Sequence, residues 1–97
     1  MINMNAVTIE SAEQKDYASW LPLWINYQTF YRTIISDEVT KLTWERFFTP
    51  SEPVYCAVAK YDGKIVGLVH YLFHRSTWAE SNYCYLEDLF VSEDVRG

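Results

Sequence analysis

The 97-residue chain is predicted to fold as one α+β domain, on the strength of three observations. Apolar residues recur at helical spacing through the first half of the chain. From residue 54 the period changes to that of strands. An Asp62-Gly63 pair then separates two strand-like runs, the strongest short-range signal for a hairpin. The expected order is strand, helix, helix, strand, strand, strand (β-α-α-β-β-β), with a mostly antiparallel sheet, over residues 1–97.

Residues 6–10 (AVTIE) make a short β-branched strand. Residues 11–16 are polar and lead into a helix in which Tyr17, Trp20, Leu21, Trp24, Tyr27 and Tyr31 form one apolar face. Either Asp16 or Ser19 caps it. Pro22 suits the first turn of a helix begun at Ser19 and kinks one begun at Asp16. Ser36 caps a second helix, with Asp37 and Glu38 at the positive end of its dipole and Val39, Leu42, Phe47 and Phe48 as the buried stripe. Pro50 and Pro53 bracket its exit. Residues 54–61 (VYCAVAKY) and 64–74 (KIVGLVHYLFH) are the arms of a hairpin with a type I′ turn. The second arm is apolar at nearly every position, which predicts cover on both sheet faces. Residues 75–82 (RSTWAESN) connect to the last strand, residues 83–91.

Composition bounds the function. Hydrophobic residues at 49% and aromatics at 18% describe a packed domain, not a disordered one. So much aromatic surface in so short a chain implies that some of it packs against a partner chain or further residues. A net charge of −5 and a pI near 4.8 argue against nucleic acid, whose phosphates need a basic face. They are compatible with a cationic small molecule. The N-terminus lacks the basic and apolar regions of a signal peptide, and no run approaches the ~20 apolar residues of a membrane span. Cys56 and Cys84 have no metal spacing, and reduced thiols in a cytoplasmic protein are expected. At ~4.8 Å per strand step they lie roughly 10 Å apart, beyond disulfide reach. His70 and His74 share a strand face without a third ligand, so they read as structural or substrate-lining and no metal is expected.

The chemistry-bearing residues are Glu87 and Asp88. Strand alternation puts Tyr83, Tyr85, Glu87, Leu89 and Val91 on one face and Cys84, Leu86, Asp88 and Phe90 on the other, so at most one acid enters a given cleft. A partly desolvated carboxylate there can accept a proton, directly or through water. The alternative is one acid in solvent and the other on a neighbouring backbone group. Residues 92–97 (SEDVRG) make a turn ending in Arg96-Gly97. A guanidinium and an unobstructed backbone there suit a phosphate, as where a phosphate loop enters a helix; a solvated Arg is the alternative. Trp78, at a strand end, either covers an amine or acyl chain or closes the core.

Residues 58–97 (VAKYDGKIVGLVHYLFHRSTWAESNYCYLEDLFVSEDVRG) resemble the N-terminal half of a GNAT-superfamily N-acetyltransferase. They show that family's hairpin, its acid-bearing fourth strand and the first residues of its pyrophosphate loop. The family loop reads Arg/Gln-x-x-Gly-x-Gly/Ala; Arg96 matches its first position and Gly97 an unrestricted one. By this resemblance the chain covers roughly half of a family domain and halts before the cofactor-binding helix. The run YLEDLFV, residues 85–91, is similar to that of polyamine and diamine acetyltransferases and related histone or polyamine acetyltransferases. The resemblance implies acetyl-CoA as co-substrate and Glu87 as the residue that takes a proton from the amine. It implies a cofactor site of Leu89, Phe90, Val91, Arg96 and Gly97, and an amine site of Tyr31, Trp78 and Tyr85. Arg32 departs from a cation-binding pattern: it repels a polyamine or pairs with an acid on the substrate. The expected function is acetyl transfer to a primary amine of a small molecule or lysine side chain, with this fragment inactive alone. The alternative is a non-catalytic half-domain that forms a homodimer or complements a second chain, through the sheet face left short of cover around residues 66–73.

Overall fold

The computed structural model describes residues 6–92. Its elements follow the expected order: β1 (Val7–Ser11), α1 (Tyr17–Phe30), α2 (Asp37–Phe47), β2 (Val54–Tyr61), β3 (Lys64–Arg75) and β4 (Asn82–Val91). The strands form one antiparallel sheet in the order β1-β2-β3-β4. Each strand therefore lies beside its sequence neighbour, and both helices enter between β1 and β2. Asp62 (φ 53°) and Gly63 (φ 78°) take the left-handed conformations that a type I′ turn requires.

The core is built around α1. Trp20 is fully buried and packs against Trp44 at 4.7 Å and Trp24 at 5.8 Å between ring centroids. These rings, with Leu23, close over Cys56, Val58, Leu68 and Phe90 of the sheet. Both helices thus cover the same face. The apolar run in β3 predicts cover on both faces, yet the other face is open. There Tyr55, Phe73, Leu86 and Leu89 are exposed, with Tyr55 stacked on Tyr71 at 5.4 Å.

The helices depart from the sequence reading in two places. A single 3-10 turn, Gln14–Asp16, precedes α1, and the buried Asp16 carboxylate accepts the Glu13 N–H at 2.8 Å. Helix α1 therefore starts before Ser19, with Pro22 inside it. In α2, Ser36 caps as expected, its hydroxyl accepting the Val39 N–H at 3.2 Å. However, Thr40 and Trp44 are its buried residues, while Val39 and Leu42 are exposed. Trp44 sets the rotation, because the largest ring on a short helix has the most area to remove from water.

The register shifts at two places among the described residues. Val66 is skipped between the pairs Ala59↔Gly67 and Lys60↔Ile65. Glu87 is skipped between His70↔Asp88 and Tyr71↔Leu86. The second is a β-bulge, and it changes the parity of β4 at the acidic pair. Tyr83 and Tyr85 consequently share a face with Asp88 and Phe90, whereas Cys84 and Leu86 share the open face with Leu89. This corrects the simple alternation expected for residues 83–91. Below the bulge the strands approach closely: a Cβ on Gly67 would lie 3.1 Å from the Phe90 carbonyl oxygen.

Candidate active site

The bulge brings both acids to one place. Glu87 and Asp88 line a cleft of about 340 Å³ whose other walls include Trp24, Thr43, Arg46, Phe47 and His70. The expectation that at most one acid enters a cleft fails because the extra residue breaks the alternation. Glu87 is exposed and Asp88 is half-buried. Across the cleft, the Arg46 guanidinium lies 3.9 Å from the Glu52 carboxylate, both nearly half exposed.

Beneath the cleft runs a buried polar chain. The Trp20 indole N–H donates to His70 Nε2 at 3.0 Å, and His70 Nδ1 lies 3.0 Å from Asp88 Oδ2. An indole nitrogen can only donate, so Nε2 is the acceptor and carries no proton. The proton of His70 is therefore on Nδ1, directed at Asp88. The Tyr27 hydroxyl also acts on Asp88. Burial pushes Asp88 towards its neutral form, but the bond from His70 and the influence of Tyr27 outweigh it and hold the carboxyl below its usual range. Burial first, then the interaction with Asp88 and its charge, raises the Tyr27 hydroxyl well above the ordinary tyrosine value. His70 is buried, and Phe47 and Trp24 pack on its ring at 4.8 and 4.9 Å.

A second hollow, of about 380 Å³, runs along β4 beyond the bulge and is lined by Phe30, Tyr31, Leu89, Phe90 and Val91. The structure thus gathers Tyr31 with the three expected cofactor-site residues, the first of which follows Glu87 by two positions along β4. Tyr85 lies on the helix-side face beyond the helices, paired with Leu72 and half exposed. Trp78 is 90% exposed on the β3–β4 loop, its N–H donating to Ser76 Oγ at 2.9 Å. Neither Tyr85 nor Trp78 lines the Glu87 cleft. Arg96 and Gly97 fall outside the described residues. Arg32 sits at the C-terminal end of α1 with φ 54°. Its N–H bonds the Thr29 carbonyl at 3.0 Å, and Thr33 N–H bonds that of Gln28 at 2.9 Å, a Schellman closure.

Sequence reasoning missed the Trp20–His70–Asp88 chain. One signal was present: a histidine in an apolar strand needs a partner, and the facing strand offers an acid. The bulge, which sets their register, had no signature. Among the described residues no metal-binding group of three or more His, Cys, Asp or Glu occurs, and no helix is long and apolar enough to cross a membrane. Cys56 is buried on the helix side, Cys84 is exposed on the opposite face, and both are free thiols.

Comparison with known proteins gives a consistent result. The model of the Acetyltransferase (GNAT) family matches residues 13–97. The D-amino-acid N-acetyltransferase HPA3 of Saccharomyces cerevisiae is 34% identical over 99% of this chain, which covers 60% of that protein. Among solved structures, a possible acetyltransferase from Clostridium difficile 630 superposes with a TM-score of 0.78 at 16% identity, over 94% of this chain and 60% of the other. A ribosomal-protein-alanine N-acetyltransferase from Brucella melitensis gives 0.78 at 20%, over 95% and 62%. An aminoglycoside acetyltransferase from a soil metagenome, in complex with sisomicin, gives 0.69 at 20%, over 95% and 60%. The chain thus spans about 60% of the length of these relatives.

Proposed function

The chain belongs to the acetyltransferase (GNAT) family, and from that premise we propose that it supplies the amine side of an acetyl-CoA-dependent N-acetyltransferase site. The observation that carries this reading is the bulge, which frees Glu87 from the ladder and turns it into a walled cleft. Glu87 takes a proton from the substrate ammonium. The neutral nitrogen then attacks the acetyl carbonyl carbon of acetyl-CoA, forming the C–N bond. The C–S bond breaks, and coenzyme A leaves as a thiolate that takes up a proton. The hollow beside Tyr31, Leu89, Phe90 and Val91 accommodates the acetyl and pantetheine arm, with Arg96 and Gly97 serving its pyrophosphate.

The substrate we favour is a small primary amine that also carries a carboxylate, such as an amino acid. Arg46 lines the same cleft as the two acids and can receive a carboxylate while Glu87 receives the ammonium. The yeast relative's name points the same way. A polyamine, cationic at both ends, meets Arg46 unfavourably; a lysine side chain is the remaining alternative. Since the relatives are longer, the 97 residues alone are expected to transfer acetyl weakly or not at all, in a cytoplasmic setting that keeps both thiols reduced. The test is an acetyl-transfer assay on the full-length protein with D- and L-alanine, putrescine and a lysine peptide. Glu87→Gln is expected to lower kcat about 100-fold or more; an unchanged rate overturns the reading.

The exposed apolar face favours a second reading, in which the chain associates with a second copy or a complementing chain. Sedimentation equilibrium of the 97-residue chain decides it: a strictly monomeric folded species at high concentration refutes it.

A further inference from the structure

The two acids in the cleft are held differently. Glu87 is exposed, whereas Asp88 is hydrogen-bonded to His70 on β3 and acted on by the Tyr27 hydroxyl from α1, and Trp20 bonds His70 from behind. Each donor is committed by its own packing. Trp20 is fully buried, and His70 is wedged between Trp24 and Phe47. Asp88 nevertheless lines the cleft, so its carboxylate meets whatever enters.

From this asymmetry we infer that the acids divide the labour: Asp88 is a fixed carboxylate that binds the substrate ammonium, and Trp20, His70 and Tyr27 are positioning residues that aim it. The inference rests on the acetyltransferase reading of the cleft. The chemistry needs both functions. A group that removes a proton must change its charge during turnover; a group that anchors the cation must not. One carboxylate cannot do both well, because on accepting the proton it loses its hold on the nitrogen. The hydrogen bond from His70, with Tyr27 acting in the same sense, favours the ionised form of Asp88 and makes it a poorer base, which leaves the proton to Glu87. The charged and titratable groups around Asp88 are Tyr27 from α1, His70 from β3 and Glu87 beside it on β4, with Arg46 of α2 lining the same cleft.

Two measurements test this. Nitrogen-15 NMR of the 97-residue chain at neutral pH is expected to show His70 in the Nδ1–H tautomer; the Nε2–H tautomer overturns the arrangement. Kinetics of the full-length enzyme with alanine supply the functional arm. Asp88→Asn keeps the shape and removes the charge, and is expected to raise KM for the amine about 10- to 100-fold while lowering kcat much less. His70→Leu is expected to raise KM in the same direction, and His70→Asn, which retains a donor at the Nδ1 position, to restore part of it. A lowered melting temperature with KM unmoved in the His70 variants makes the chain merely structural and overturns the proposal. Glu87→Gln separates the two ideas: if it leaves kcat untouched while Asp88→Asn raises KM, the base assignment fails and the anchor stands.

Discussion

Two tryptophans one turn apart in α1 provide a controlled experiment. Trp20 and Trp24 are both buried, stack on one another at 5.8 Å and touch the same histidine ring. The difference that matters here is the indole N–H: that of Trp20 donates to His70, whereas that of Trp24 is buried without a partner among the described residues. Replacing either by Phe removes similar ring volume, costing about 1 kcal/mol in packing. Trp20→Phe also strands His70 Nε2 as a buried, unsatisfied acceptor, adding about 1–3 kcal/mol. Trp24→Phe deletes an unsatisfied donor, a gain of similar size. The expected changes are therefore a destabilisation of about 2–4 kcal/mol for Trp20→Phe and, for Trp24→Phe, anything from no change to a stabilisation of about 2 kcal/mol. In a domain of this size each kcal/mol moves Tm by about 4–8 °C. Urea unfolding followed by far-UV circular dichroism measures both, and an unchanged m-value shows that the unfolded state is not the cause. Equal destabilisation of the two variants would refute the argument.

Three other outcomes are expected. Arg32 occupies the left-handed position that closes α1, so Arg32→Gly should raise stability by about 0.5–1 kcal/mol in thermal melts; a lower Tm would mean that the Arg32 side chain holds a contact. Asp88 is held below its usual carboxylate range, so its contribution is present above the unfolded value of about 3.9 and is lost as pH falls through the folded value. Tyr27 is raised, so its contribution is full below about 10 and is lost as pH rises beyond. A stability–pH curve should show both limbs, and Asp88→Asn should flatten the acid one; a wild-type curve level down to pH 2 would contradict this. Burial, with a smaller contribution from the Asp16 charge, pushes the Cys56 thiol up to about 12, while Cys84 is exposed. Titration of the native chain with a disulfide reagent at pH 8 should therefore modify one thiol quickly and the other only on unfolding; two fast thiols would contradict the burial of Cys56.

Much of the architecture was legible because it is local. The Asp62-Gly63 turn, the Ser36 cap and the helical spacing around Trp20 and Trp24 each depend on a few neighbouring residues, and all appear as expected. The rotation of α2 was misread because Val39 and Leu42 score as apolar in isolation, whereas Trp44 decides which side packs. The facing of β4 was misread because a bulge is a relation between two strands and leaves no mark on one. The same error hid the pairing of His70 with Asp88, and with it the difference between the two acids. Tyr31 joins Leu89, Phe90 and Val91 in one hollow, while Trp78 and Tyr85 stand apart from the Glu87 cleft. Their places follow from loop geometry and strand parity, which composition and spacing do not encode.

The bulge at Glu87 also bears on the rim of the sheet. Among the described residues β4 is an edge of the sheet, and an edge strand offers a row of unpaired backbone groups to any passing strand. A regular ten-residue edge would be a ready template for another chain. With one residue out of step, an incoming strand that matches the ladder on one side of position 87 is out of register on the other. The irregularity that gathers both acids at one cleft thus also makes this rim of the sheet a poor template for strand addition.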